Sequence, residues 1–124
     1  MKYVYNKLVR DKIVENINSE AGREAHYRIL NDKEYMNELN KKLLEEAHEF
    51  IEENAEEELA DIMEVLENIV RVKDINWDNV RKLQEAKRNK KGGFLDKVYL
   101  EYVEEAERNL KEEAELNKPW RKNS

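Results

Sequence analysis

The sequence predicts an all-α fold, a bundle of four to five helices. Three observations carry this. Glu, Lys, Leu and Ala dominate the chain, and all four are good helix formers. A single Pro and three Gly in 124 residues leave few natural breaks. Apolar residues also recur at helical spacing along two long segments.

The elements follow in order. Met1 to Tyr5 is too short to classify and is compatible with extended chain. Leu8 to Ile17 reads as a short helix through Leu8, Val9, Ile13 and Ile17. Ser19 to Ala25 contains Gly22 and reads as a loop. Tyr27 to Leu30 fits a brief strand or coil. Asn31 with Glu34 has capping-box form and should open a long helix from about Asp32 to about Glu53. Its apolar positions are Tyr35, Met36, Leu39, Leu43, Leu44, Ala47, Phe50 and Ile51. Asn54 should break it. A second strong helix is expected from about Ala55 to about Val72, with an apolar stripe broad enough for packing on more than one side. A turn over Asp74 to Asn76 should lead into a third strong helix, from about Trp77 to about Lys91. Its basic last turn suits the negative end of the helix dipole, and Gly92-Gly93 stops it. Phe94 to Tyr102 is compatible with alternation or with helix. Glu104 to Leu116 reads as helix, and Asn117 to Ser124 as a polar tail. The expected organisation is one domain over residues 1–116 and a tail over 117–124.

Composition excludes several kinds of function. Without cysteine there is no disulfide, thiolate metal site or Cys nucleophile. Ser19 and Ser124 are the only serines, and neither has a catalytic motif around it. No Gly-rich phosphate loop opens a helix. No apolar run approaches the ~18 residues of a membrane span, and no signal-peptide pattern opens the chain. A cytoplasmic protein without membrane contact is expected. The formal net charge of −6 argues against binding a nucleic-acid polymer.

Charge distribution says more than its sum. Lys2, Lys7, Arg10 and Lys12 sit near the start, against Asp11. From Glu45 to Glu67 there is no Lys or Arg at all. From Arg81 to Lys97 the chain is basic again. An acidic middle able to take a cation is thus flanked by segments able to grip an anion.

Within that middle, Glu46 and Glu49, and then Glu58 and Asp61, are carboxylates three residues apart. On a helix that spacing is one side of one turn. Such pairs are also common as ordinary solvated charge in a Glu-rich helix. Register separates them from their neighbours. Glu58 lies inside the apolar arc with Ile62, Val65 and Ile69, and Asp61 lies at its margin. Glu46 borders the core through Leu39, Leu43 and Phe50, whereas Glu49 points further away. Glu45, Glu52, Glu53, Glu56, Glu64 and Glu67 read as surface. A carboxylate beside a core needs a cation. Oxygen-only ligands select Mg²⁺, or else Mn²⁺, over Zn²⁺. His48 points away from the acids between which it sits, and His26 stands alone.

Three segments resemble a known group. Glu46-x-x-Glu49 with Glu58-x-x-Asp61 is similar to the signature of the MazG-like all-α nucleoside triphosphate pyrophosphohydrolases. Tyr5 to Ile13 (YNKLVRDKI) resembles the opening of the phosphoribosyl-ATP pyrophosphohydrolase-like subgroup, and Lys87 to Phe94 resembles its basic Gly-Gly-Phe segment. The resemblance spans roughly Met1 to Leu100. It implies a Mg²⁺-dependent hydrolase cleaving a nucleoside triphosphate to monophosphate and pyrophosphate. Glu46, Glu49, Glu58 and Asp61 would hold the metal, and Glu46 and Glu49 would serve the proton transfer. Lys7, Arg10, Lys12, Lys87, Arg88 and Lys91 would bind substrate phosphates. It also implies a homodimer or homotetramer. Phosphoribosyl-ATP is an alternative substrate, and a non-catalytic helical dimerisation or binding module is an alternative of another class. The interval from Glu49 to Glu58 is shorter than in longer MazG proteins, which leaves less room for a base-contacting loop.

Overall fold

Two antiparallel helices and the tight turn between them form the scaffold of this computed structural model, which describes residues 1–106 and 114–118. The described residues contain helices and no strand. They are α1 (Ile13–Asn18), α2 (Asp32–Glu53), α3 (Glu56–Val72) and α4 (Trp77–Lys91), and residues 114–116 are also helical. The all-α expectation holds. Of the helix expected over Glu104–Leu116, residues 104–106 are irregular, so it does not begin at Glu104; residues 107–113, and most of the expected tail, lie outside the described residues. By their internal contacts the residues form two units, Met1–Trp77 and Asp78–Ser124.

In the first unit the ends of α2 follow from two asparagines. Asn31 has extended backbone, and its side-chain Oδ1 accepts the Glu34 backbone N–H at 2.8 Å. This satisfies one of the amides that a helix start leaves without a partner. Arg28 adds a two-pronged contact to the Glu34 carboxylate, with Nη2 at 2.7 Å from Oε2. This ion pair, chiefly its hydrogen bond, holds Glu34 below the ordinary carboxylate range. At the other end Asn54 turns left-handed, at φ 54°, and donates its N–H to Phe50 O at 2.7 Å. Asn tolerates this conformation better than most side chains. Ala55 then leads directly into α3, so the chain reverses within two residues.

The reversal lays α3 along α2. Leu39, Val65 and Ile69 are the buried hydrophobic centre, with Leu8, Tyr35, Met36 and Leu43 packed around them. Apart from Leu8, these residues recur at intervals of three, four or seven on α2 and α3, as one helical face requires.

In the first unit one sequence expectation needs correction. The first helix is Ile13–Asn18, not Leu8 to Ile17. Leu8 is not helical. It packs against the core from an irregular segment that follows Asn6, itself at φ 46°. Burying Leu8 against the hairpin outweighs a weak local helix preference. Tyr27 to Leu30 is coil, and Met1 to Tyr5 forms no strand.

In the second unit α4 ends where expected. Gly92, at φ 84°, donates its N–H to Arg88 O at 2.8 Å. Residues 98–105 are irregular, which resolves the ambiguity over Phe94 to Tyr102 in favour of neither helix nor strand.

Candidate metal centre

Antiparallel helices that meet face to face leave two flanks, and here the flanks differ in kind. Lys7 Nζ lies 3.6 Å from Glu45 Oε1 on α2. Arg10 Nη2 lies 2.7 Å from Asp61 Oδ1 on α3, and Arg10 Nη1 lies 3.8 Å from Glu64 Oε1. The N-terminal segment therefore crosses one flank, anchored by Leu8 against the core. The acids face that same side. On the opposite flank Leu44 and Ile51 of α2, and Leu59 and Met63 of α3, stay exposed.

Glu46 is the centre of the acidic side. It is buried, with 6% of its surface exposed, one helical turn beyond Leu43 and two beyond Leu39. Its Oε1 lies 3.5 Å from Lys42 Nζ. Its Oε2 meets neither solvent nor a hydrogen-bond partner. Burial pushes the Glu46 carboxyl above the ordinary range, the negative charges of Glu49 and Asp61 push it the same way, and Lys42 offsets part of this. The structure thus brings Glu46, Glu49 and Asp61 into mutual electrostatic contact across the two helices.

Glu58 is half-buried at the start of α3, and its Oε2 is likewise shielded without a partner. An acid across the turn that the sequence places on the surface, Glu53, interacts with it. Glu53 is exposed, yet a shared hydrogen bond and the charge of Glu58 raise its carboxyl above the ordinary range, with smaller contributions from burial, Glu49 and Glu52. The signal for Glu53 was present in the sequence, because it lies four residues after Glu49 and seven after Glu46, on the same ridge. Its position next to Asn54 disguised it as a helix end.

These groups fit a divalent cation in donor chemistry. All are carboxylate oxygens, two of them are shielded and unpartnered, and their mutual repulsion raises protonation. Among the described residues, no three His, Cys, Asp or Glu side chains have converged into a metal-ligating group. A cation would have to draw the carboxylates together. His48 is exposed, and His26 Nε2 lies 3.8 Å from Glu24.

The basic residues expected to bind phosphate differ in their surroundings. Lys7 and Arg10 are already paired with acids of the hairpin. Lys12 is exposed and pairs with no acid among the described residues. Lys87, Arg88 and Lys91 are exposed near the C-terminal end of α4, whose dipole they complement. Behind Arg10 a polar relay runs along the flank. Asn68 Nδ2 donates to Glu64 Oε2 at 3.0 Å, and Tyr35 Oη donates to Asn68 Oδ1 at 3.4 Å.

No family model, curated protein or solved structure matches this chain. Among the described residues, no helix is long and apolar enough to cross a membrane.

Proposed function

We propose that the acidic flank binds Mg²⁺ or Mn²⁺ and that the protein is a cation-dependent nucleotide pyrophosphohydrolase. The observation that carries this is the buried, unpartnered Oε2 of Glu46 beside Glu49 and Asp61. A buried carboxylate with two acidic neighbours is costly unless a cation takes the position. The MazG-like resemblance of the acidic pairs and of Tyr5 to Ile13 points to the same chemistry.

Bound among Glu46, Glu49, Glu58 and Asp61, the cation would supply charge neutralisation for attack of water on the α-phosphorus. Glu46 or Glu49 accepts the proton of the attacking water. Lys7, Arg10 and Lys12 hold phosphate oxygens and stabilise the charge that develops as the bond to the β-phosphate breaks and pyrophosphate leaves.

A second copy of the chain would cover the apolar flank. Leu44 is 67% exposed, Ile51 70%, Leu59 46% and Met63 57%. Leu44 and Ile51 lie seven residues apart on α2, and Leu59 and Met63 four apart on α3, so each helix carries an exposed apolar ridge suited to a contact.

The deciding experiment is a nucleotide panel with Mg²⁺ and a pyrophosphate readout. Glu58→Gln and Asp61→Asn should abolish release. Turnover that survives both substitutions overturns the site, and absence of turnover together with absence of cation binding overturns the activity.

A further inference from the structure

Arg10 is the one cation from a distant part of the chain that reaches Asp61 within hydrogen-bonding distance among the described residues, at 2.7 Å. It also lies 3.8 Å from Glu64, whose carboxylate is held by Asn68 and, through it, by Tyr35. Leu8 pins the segment two residues earlier against Leu39, Val65 and Ile69. Arg10 itself is more than half exposed. Its guanidinium is therefore aimed at one carboxylate of the acidic flank and is not enclosed there.

Two demands then meet at one side chain. A carboxylate that ligates a divalent cation cannot keep a full salt bridge through the same oxygens. A guanidinium freed from a carboxylate is suited, by its planar fork of donors, to a phosphate. We infer that Arg10 is an exchangeable counter-ion. In the cation-free chain it closes the acidic flank on Asp61. When a divalent cation takes that carboxylate, Arg10 turns outward to a phosphate of the polyphosphate ligand. The exchange makes binding ordered, with cation before polyphosphate, because only the cation releases the arginine. The inference rests on the cation site proposed above.

The order predicts effects of opposite sign at one residue. Arg10→Gln removes a competitor for Asp61, so Mn²⁺ should bind about two- to fivefold more tightly by calorimetry, the range expected for loss of an exposed ion pair. On Mn²⁺-loaded protein the same variant should bind inorganic pyrophosphate about tenfold more weakly, as for loss of a charge-assisted hydrogen bond. Arg23→Gln removes an equally short surface pair, to Glu20 at 2.7 Å, and controls for net charge. It should change neither constant. If Arg10→Gln weakens both ligands, Arg10 is only structural and the inference falls. Unchanged Mn²⁺ affinity also overturns it. So does tighter Mn²⁺ with unchanged pyrophosphate, which denies the transfer. In these cases loss of Mn²⁺ binding in Asp61→Asn leaves the cation site standing. If the wild-type protein binds no Mn²⁺, the cation site fails and the inference fails with it.

Discussion

Replacing Glu46 with Met should make the cation-free protein more stable. Glu46 keeps 6% of its surface exposed, and its Oε2 has neither solvent nor partner. Leaving a buried polar group unpaired costs about 1–3 kcal/mol, and more when it is charged. The contact with Lys42 at 3.5 Å returns at most about 1 kcal/mol. Met has similar length, carries no charge and would extend the Leu39–Leu43 ridge. The expected net gain at neutral pH is about 1–2 kcal/mol, with a rise in Tm of about 4–8 °C per kcal/mol for a unit of this size.

The pH dependence gives the sharper test. The Glu46 carboxyl is raised above its ordinary value of 4.5 in the folded chain. The folded state therefore holds that proton to higher pH than the unfolded chain does. Wild-type stability falls as pH rises from about 4.5 through the raised value, and the penalty is complete above it. The advantage of Glu46→Met should be smallest in acid and should grow across that window. Urea denaturation in the presence of a chelator, repeated from pH 4 to pH 8, measures it. Saturating Mn²⁺ should then stabilise the wild type and not the variant, by about 2.7 kcal/mol at one hundred times the dissociation constant. A variant less stable than wild type at neutral pH would refute the reasoning, as would an advantage that does not change with pH.

The remaining predictions concern the scaffold. Asn31→Ala removes the side-chain acceptor of the Glu34 amide and should cost about 1 kcal/mol in chemical denaturation, whereas Asn31→Asp should be nearly neutral. Asn54 sits at φ 54°, so Asn54→Ala should cost about 1 kcal/mol and Asn54→Gly should not destabilise. Met63→Glu on the apolar flank should shift the protein to lower mass in light scattering, with helical circular dichroism retained. An unchanged mass would exclude this flank as the contact.

The hairpin was legible in the sequence because local rules and the tertiary fold agree there. Asn31 with Glu34, the seven-residue spacing of Leu39 and Glu46, and the isolated Asn54 between two strong patterns each mark one feature. The N-terminal segment was not legible. Leu8, Val9, Ile13 and Ile17 have helical spacing, but Leu8 is claimed by the core of another element, and spacing alone carries no information about that. The same reason hid the ion pairs. Arg10 and Asp61 are 51 residues apart, and the sequence showed only that one region was basic and another acidic.

Glu53 shows why register must be followed to the end of a helix. It continues the ridge of Glu46 and Glu49, and the tight turn at Asn54 brings α3 back so that Glu58 lies against it. A longer connection would have let the two acids part. The short interval between Glu49 and Glu58 thus has a structural consequence. It concentrates negative charge at the closed end of the hairpin, beyond the Lys7 and Arg10 pairs with Glu45, Asp61 and Glu64. A cation entering from solution would meet an uncompensated carboxylate pair at that end, and a guanidinium already in place at Asp61.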